Sequence, residues 1–215
     1  MDPTEPRLST SALLTIDMQN DFVLPGAPGC VAGTSEVVSQ VSELVGVWRR
    51  AALPVIHVVR LYLPDGSNAD LCRRARLAAG ASIVRPATSG AELVTPLKID
   101  PAQTLDPELL LSGKAQRLAE DEFVVYKPRW GAFFRTVLED LLATLAVDTL
   151  VVCGCNFPNC PRATLYQASE RDFRLIAVTD ALSRLGPRDH ADLTGIGIRL
   201  RSVSELEREM APPSI

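Results

Sequence analysis

Short apolar runs alternate with amphipathic stretches along most of the chain. The runs are rich in β-branched residues and cover residues 12–16, 54–60, 122–126, 149–153 and 175–179. Continuous runs of this kind are typical of strands that are covered on both faces of a parallel sheet. A further strand is expected around residues 198–203.

The stretches between the runs have helical periodicity. One face collects Val37, Val38, Val41, Leu44, Val45 and Trp48, and a second collects Val137, Leu138, Leu141, Leu142 and Leu145. Strand and helix in alternation imply right-handed βαβ crossovers. The pattern therefore predicts an α/β fold, a three-layer α/β/α sandwich with a mostly parallel, doubly wound six-stranded sheet.

Regular alternation fails between residues 62 and 121, where helical signals occur only near residues 70–79 and 107–118. Long irregular insertions in compact domains usually form lids, functional loops or oligomer contacts. We expect residues 1–10 to form an N-terminal tail and residues 11–215 a single domain with this long insertion.

Composition excludes some functional classes. Of 215 residues, 47% are hydrophobic and 22% charged, and the net charge of −4 offers no basic surface for nucleic acid. No apolar stretch approaches the roughly 18 residues of a membrane span, and the N-terminus does not resemble a signal peptide. An odd number of cysteines, five, indicates reduced thiols and a cytoplasmic protein rather than a disulfide framework.

Cys160 is the candidate nucleophile. It follows an apolar strand and a turn, and Pro161 after it suits the start of a helix. Helix N-termini lower the pKa of a cysteine from about 8.5 to roughly 3.5–7.5, which predicts a thiolate here. The alternative is an inert buried cysteine. The C-x-C-x4-C spacing of Cys153, Cys155 and Cys160 does not match a structural zinc site.

Two charged residues are expected beside this thiol. Asp17 ends the first predicted strand and Lys127 ends the third, and ligand sites lie at the carboxyl ends of parallel strands. Asp17 could take the thiol proton and return it to a leaving amine, while Lys127 stabilises negative charge. The alternatives are a cap or turn role for Asp17 and a solvated strand end for Lys127.

Candidate substrate-binding residues lie nearby in the sequence. Arg60 and Tyr62, at the end of the second strand, should face the crevice, and Phe22, Trp130 and Phe133 could form an apolar wall. A guanidinium group there would favour a carboxylate or polar carbonyl. The alternatives are an ordinary solvated or salt-bridged arginine and aromatic rings that pack in the core.

Three segments together resemble a known family. They are LTIDMQNDF at residues 14–22, KPRWGAFF at 127–134, and GCNFPNC followed by PRAT at 154–164. Over roughly residues 11–206 the chain is similar to the isochorismatase-like, nicotinamidase-related cysteine hydrolases.

The resemblance implies a Cys160, Asp17 and Lys127 triad that acts on an amide, ureido or carbamoyl carbon through a thioester-like intermediate. It also implies a cis peptide bond between Cys155 and Asn156, which would direct the N–H groups of Asn156 and Cys160 into an oxyanion hole. With the long insertion, it suggests a homo-oligomer, a dimer or tetramer.

The chain departs from the family pattern at positions that bear on the metal site and on the substrate. Nicotinamidases of the family carry an Asp-x-His metal motif after the second strand, where this chain reads VRLYL at residues 59–63. With only His57 and His190 in the chain, we predict no catalytic metal and no cofactor, and doubt nicotinamide as the substrate. His57 is expected to be a core histidine and His190 to lie on a surface helix. The turn at residues 156–159, which reads NFPN, also departs from the family pattern, because family members commonly have smaller residues there.

The leading hypothesis is hydrolysis of a small amide or ureido compound, with biuret-like, N-carbamoyl or ureidoacrylate-like substrates as family analogues. Two alternatives stay open. One is a vinyl-ether hydrolase of isochorismate type, which uses the aspartate without a thiol. The other is a noncatalytic binding protein on the same scaffold.

Overall fold

The computed structural model describes residues 2–211, so Met1 and residues 212–215 of the expected tail and domain lie outside it. Its strands are β1 (Ser11–Ile16), β2 (Val55–Val59), β3 (Gln116–Ala119), β4 (Glu122–Tyr126), β5 (Thr149–Gly154), β6 (Arg174–Leu182) and β7 (Arg199–Arg201). Its α-helices are α1 (Asn20–Val23), α2 (Val38–Arg50), α3 (Leu71–Ala78), α4 (Pro107–Leu111), α5 (Leu138–Thr144), α6 (Cys160–Ser169), α7 (Pro187–Gly195) and α8 (Val203–Met210). Short 3-10 turns lie at Leu8–Thr10, Ser35–Val37, Ser89–Ala91 and Thr95–Leu97.

The strands form one sheet in the order β3-β4-β2-β1-β5-β6-β7, and every neighbouring pair is parallel except β3 and β4. The expected mostly parallel α/β architecture is confirmed, but the strand count of six was too low. The additional strand, β3, lies inside the segment expected to be irregular. Its residues alternate between half-buried and exposed, because an antiparallel edge strand can leave one face in water, and so it lacks a continuous apolar run.

Two apolar layers cover the two faces of the sheet. On one face, α2 and α8 bury side chains such as Leu44, Trp48 and Leu206 against alternate residues of the strands. On the other, α5, α6 and α7 bury Leu142 and Leu165, among others. The helices predicted from residues 37–48 and 137–145 are thus the amphipathic covers of the sheet. Within residues 2–211 no helix combines the length and apolarity that crossing a membrane requires.

The insertion at 62–121 supplies α3, α4, β3 and two 3-10 turns, and it is tied to the chain that follows β1. Gln19 Nε2 donates to the carbonyl oxygen of Arg60 at 2.8 Å and to that of Ala91 at 2.6 Å. Asp21 Oδ2 accepts from the N–H of Val84 at 2.6 Å. The insertion is therefore fixed over the edge of the sheet at which β1 ends.

One expected helix is shorter than predicted. The signal at 107–118 forms only α4, which Asp106 caps by accepting from the N–H of Leu109 at 3.0 Å, and the chain then continues into β3. The N-terminal tail packs against the opposite end of the sheet, where Thr10 Oγ1 donates to Asp148 Oδ1 at 2.6 Å.

Candidate active site

Three strand ends bring the predicted triad together. Asp17 directly follows β1, Lys127 directly follows β4, and Cys160 begins α6 after the turn that leaves β5. Because β1 lies between β2 and β5, with β4 beyond β2, these ends meet at one edge of the sheet.

Asp17 and Lys127 form a buried ion pair. Lys127 Nζ donates to Asp17 Oδ2 at 2.8 Å, and both side chains are almost completely shielded from solvent. The alternative of a solvated strand end for Lys127 is therefore wrong. The backbone of Asp17 adopts φ 52°, a left-handed conformation that aspartate tolerates better than most residues. Its second oxygen, Oδ1, is buried and has no hydrogen-bond partner within residues 2–211.

Cys160 is the first residue of α6 and is buried. Burial, with the negative charge of Asp17 as the next contribution, raises the pKa of the Cys160 thiol to about 12, against smaller opposing effects of Lys127 and Arg60. The prediction of a thiolate at Cys160 is therefore wrong. Loss of hydration outweighs the favourable helix N-terminus, and the side chain of Cys160 is a thiol.

The turn between β5 and α6 is held by backbone hydrogen bonds on both sides. The N–H of Cys155 donates to the carbonyl oxygen of Ile16 at 2.8 Å, and that of Phe157 donates to Ser183 at 2.8 Å. The predicted cis bond between Cys155 and Asn156 is wrong, because every peptide bond in residues 2–211 is trans.

The N–H groups of Asn156 and Cys160, which were expected to form an oxyanion hole, are available in this turn. Neither donates to a backbone or side-chain acceptor within the described part of the chain. Cys160 is at the N-terminus of α6, where N–H groups lack partners in the helix. Both donors are therefore free in the segment that leads from β5 into α6.

A cavity of about 40 Å³ opens beside Cys160, where one water molecule requires roughly 10–15 Å³. Of the residues predicted at the site, those that line it are Asp17, Phe22, Arg60, Tyr62, Trp130, Asn156 and Cys160. The small volume indicates a compound with few heavy atoms.

Phe133 departs from the prediction. It lies in the apolar layer that α5, α6 and α7 form with the sheet. The centroid of its ring is 5.8 Å from that of Phe173, and the guanidinium of Arg171 lies 4.9 Å from the Phe133 centroid. The core-packing alternative therefore describes Phe133, while the neighbouring Trp130 is 39% exposed at the cavity.

Arg60 both lines the cavity and forms a buried ion pair. Its Nη2 donates to Asp70 Oδ2 at 2.5 Å and to the hydroxyl oxygen of Tyr62 at 3.0 Å, and its Nη1 donates to the carbonyl oxygen of Lys127 at 3.1 Å. Burial raises the pKa of Tyr62 to about 12, so its hydroxyl stays protonated. Both Nη atoms of Arg60 therefore already donate hydrogen bonds within the protein.

The sequence did not predict the side-chain contacts of four residues at this site, which are Gln19, Asp70, Arg73 and Asn156. Gln19 fixes the backbone of Arg60 on both sides, because its Oε1 also accepts from the Arg60 N–H at 2.8 Å. Asp70 begins the stretch with a helical signal at residues 70–79, and its carboxylate pairs with Arg60. Arg73 and the side chain of Asn156 line the cavity as well. The sequence does not indicate the contact between Asp70 and Arg60, because it depends on how the insertion folds back.

The residues present do not fit a metal site. Within residues 2–211 no group of three or more His, Cys, Asp or Glu side chains could hold an ion. Where the family resemblance implies metal ligands, Arg60 places a positive charge that Asp70 already neutralises. His57 lies within β2, with Nδ1 2.7 Å from Thr15 Oγ1 and Nε2 2.9 Å from Glu122 Oε1, as expected of a core histidine.

Comparisons with known proteins agree with this architecture. A family model described as the isochorismatase domain matches residues 11–195. A probable inactive nicotinamidase of Arabidopsis thaliana is 33% identical, over 95% of this chain and 98% of its own length. The maleamate amidohydrolase of Pseudomonas putida is 30% identical, over 80% of this chain and 71% of its own length.

A solved structure shows the same fold. The isochorismatase family protein of Desulfovibrio vulgaris has a TM-score of 0.78 and 36% identity, covering 94% of this chain and 99% of that chain. The shared fold, the matched domain and the identity over nearly full length point to one conclusion. The chain belongs to the isochorismatase-like cysteine hydrolase family.

Proposed function

We propose that the protein is a cysteine-dependent hydrolase that cleaves a C–N bond of a small amide, ureido or carbamoyl compound. The observation that carries this proposal is the buried Asp17–Lys127 pair, because Asp17 and Cys160 line the same small cavity. A thiol, a proton acceptor and a fixed positive charge are the groups that nucleophilic attack on a carbonyl requires.

In the first half of the proposed reaction, the Cys160 thiol gives its proton to Asp17 while the sulfur attacks the carbonyl carbon. Lys127 stabilises the charge that Asp17 carries before this transfer. When the tetrahedral intermediate collapses, the C–N bond breaks and Asp17 returns the proton to the departing nitrogen. Ammonia or an amine leaves, and the acyl group stays on sulfur as a thioester.

In the second half, a water molecule gives a proton to Asp17 as its oxygen adds to the thioester carbon. The C–S bond then breaks, and the sulfur recovers the proton from Asp17 as the acid product leaves. During both halves the N–H groups of Asn156 and Cys160 are suited to hold the negative oxygen. In comparable sites the removal of one such donor costs about 2.7–4 kcal/mol of transition-state stabilisation.

The name of one relative supports the reaction class. The relative from Pseudomonas putida is a maleamate amidohydrolase, which by its name cleaves a small amide. A reaction of this class makes the partner a small molecule and not nucleic acid. Five free cysteines favour a reducing, cytoplasmic setting.

Intact-mass spectrometry tests the proposal. A panel of amides and ureides is incubated with the wild-type protein and with variants, and both turnover and a covalent adduct are recorded. Cys160→Ala is expected to lower turnover by roughly 10⁴-fold or more and to prevent the adduct. Asp17→Asn should lower turnover too, because Asp17 takes a proton in both the formation and the hydrolysis of the adduct. Cys72→Ala, at an exposed cysteine, is the matched control and should behave as wild type.

A noncatalytic binding protein is the second candidate, since the Arabidopsis thaliana relative is named as probably inactive. It would show ligand binding that Cys160→Ala leaves intact, with no turnover of any compound by the wild type. A vinyl-ether hydrolase is the third. Full turnover in Cys160→Ala would favour it and overturn the nucleophilic role of the thiol.

A further inference from the structure

Most of the chain between β4 and α5, residues 128–136, lacks backbone–backbone hydrogen bonds. Within the described part of the chain, none of its N–H groups or carbonyl oxygens bonds to another backbone group. We call these residues the bridging segment. It directly follows Lys127 and contains Trp130, which lines the cavity. Because its backbone has no ladder to fix it, its position depends on side chains from elsewhere in the fold.

Two side chains of α6 hold the bridging segment. Thr164 Oγ1 accepts from the N–H of Ala132 at 3.1 Å, and Gln167 Oε1 accepts from the N–H of Phe133 at 3.1 Å. Ala132 is completely buried, and within residues 2–211 its N–H has no other acceptor. A buried N–H without an acceptor costs free energy, so the Thr164 hydroxyl is the group that allows Ala132 to lie here.

The hydroxyl of Thr164 also contacts the residue that carries the thiol. Its Oγ1 donates to the carbonyl oxygen of Cys160 at 2.8 Å. A threonine in a helix often bonds to the carbonyl four residues earlier, but this hydroxyl accepts from a second segment at the same time. Cys160, Thr164 and Gln167 are spaced so that they share one face of α6. The face that begins with the thiol therefore also holds the bridging segment.

The other end of the bridging segment is attached to the buried ion pair. Lys127 Nζ donates both to Asp17 Oδ2 at 2.8 Å and to the carbonyl oxygen of Arg129 at 3.4 Å. The segment thus joins the Asp17–Lys127 pair, which follows β1 and β4, to the helix of Cys160, which follows β5. A proton acceptor must lie within hydrogen-bond reach of the group that it deprotonates, so the geometry of this connection matters for the proposed reaction.

We infer that Thr164 and Gln167 are positioning residues, which hold the bridging segment against α6 and thereby set the place of Cys160 relative to the Asp17–Lys127 pair. Neither side chain lines the cavity, so both act through the residues that they hold. Only the expected effect on turnover rests on the proposed hydrolase function. The effect on the surroundings of the thiol does not.

Steady-state kinetics of the full chain test the effect on turnover. Thr164→Val keeps the branched shape and removes both hydrogen bonds, so it should lower kcat by about 10- to 100-fold with a smaller change in KM. Thr164→Ser keeps the hydroxyl and should restore kcat. Thr144→Val is the matched control, because Thr144 Oγ1 donates in the same way to the carbonyl oxygen of Asp140, at 2.9 Å, on the exposed side of α5. The control should behave as wild type.

The pH dependence of Cys160 alkylation tests the inference without any turnover. Burial raises the pKa of this thiol to about 12, and the charged groups that act on it are Asp17, Lys127 and Arg60, which none of the variants changes. If the bridging segment loosens, water reaches the thiol and its pKa falls. The rate of iodoacetamide labelling, followed by mass spectrometry after digestion, should then rise at lower pH in Thr164→Val, while Thr164→Ser keeps the wild-type profile.

The outcomes separate the inference from the proposed function. A wild-type labelling profile in Thr164→Val that circular dichroism shows to be folded would overturn the inference, as would an equal loss of kcat in Thr164→Ser. A displaced profile without turnover of any compound by the wild type would support the inference while the proposed reaction fails. If Thr164→Val does not fold, Gln167→Met removes the acceptor of the Phe133 N–H at a half-buried position, and Gln167→Glu keeps it. A displaced profile in Gln167→Met alone would support the inference, and identical profiles would overturn it.

Discussion

Cys160 lies in a setting unlike that of a preactivated cysteine. Its position at the start of α6 suggested a thiolate, but the thiol is enclosed and the Asp17 carboxylate faces the same cavity. The pKa of Cys160 is raised to about 12 by burial and by that carboxylate. In the proposed reaction the proton therefore stays on sulfur until Asp17 accepts it as the substrate is attacked.

Alkylation measures this difference. In the protein without substrate, iodoacetamide at pH 7 should label Cys160 more slowly than the exposed Cys30 and Cys72, because the thiolate is scarce and the thiol is enclosed. Labelling is followed residue by residue with mass spectrometry after digestion. Preferential labelling of Cys160 at neutral pH would contradict the buried-thiol description.

The Asp17–Lys127 pair is testable with a double-mutant cycle. Lys127→Met leaves a buried carboxylate without its partner, which should destabilise the protein by about 3–5 kcal/mol. For a chain of this length that corresponds to a fall in Tm of roughly 6–20 °C. In Asp17→Asn/Lys127→Met the unpaired charge is gone, so the double variant should be more stable than the sum of the two single changes predicts. Strict additivity would show that the pair is not coupled.

At the scale of elements, the close approach of β5 to β1 sets the positions of Asp17 and Cys160. Gly154 ends β5 with φ +112°, and a Cβ built there would lie 2.3 Å from the carbonyl oxygen of Ile16. Ile16 directly precedes Asp17, and Gly154 leads into the turn before Cys160. Only glycine allows the two strand ends to be this close.

Gly154→Ala is therefore expected to lower both stability and activity. The matched control is Gly113→Ala, which also has a positive φ, +85°, but has no atom within 4 Å of the added Cβ. The control should lose about 1–2 kcal/mol from the backbone conformation alone. Gly154→Ala should lose more and should also reduce kcat, as measured by urea unfolding and steady-state kinetics. Equal losses in the two variants would show that the collision is relieved without cost.

Elements with a continuous apolar run could be predicted from the sequence, because doubly covered strands must be apolar on both faces. That holds for β1, β2, β4, β5 and β6, and the strand ends then located Asp17 and Lys127. The edge strand β3 could not be read in this way, since half of it faces water.

Contacts that depend on the path of the insertion were beyond a reading of the sequence. Arg60 and Asp70 are ten residues apart in an irregular segment, and no periodicity indicates that they meet. Phe133 and Trp130 lie in the same motif, yet only the packing of α6 decides that one enters the core and the other the cavity.

At the scale of the whole molecule, a buried polar group links α2 to the sheet and should determine stability in acid. Burial raises the pKa of Glu122, but hydrogen bonds from Arg49 and His57 more than offset that effect and bring it to about 2. Because the pKa in the folded state is depressed, this stabilisation is present above the unfolded value of about 4.3 and is lost as the pH falls toward 2.

Glu122→Gln should flatten this acid dependence. The free energy of unfolding of the wild type is expected to fall by about 2–3 kcal/mol more than that of the variant between pH 5 and pH 2. Chemical denaturation at a series of pH values measures the difference. The variant Glu120→Gln, at an exposed position nearby, is the control and should follow the wild type. Parallel curves for wild type and Glu122→Gln would contradict the assignment.

Association of copies stays a prediction at the same scale. A dimer or tetramer was expected from the insertion and the family resemblance, and exposed apolar side chains near the site include Leu71, Phe134 and Tyr166. Multi-angle light scattering at micromolar concentration should give a mass that is a multiple of 23.3 kDa. A mass of one chain would refute it.

The attachment of the insertion has a consequence for how the substrate range of such a protein can change. Gln19 joins the chain just past Asp17 to Arg60 and Ala91, so the insertion and the segment that carries Asp17 share their anchors. Replacing the insertion as a block would disturb the chemistry together with the selectivity. New specificity is more accessible through single side chains at the rim, such as Arg73, which can vary while the anchors stay in place.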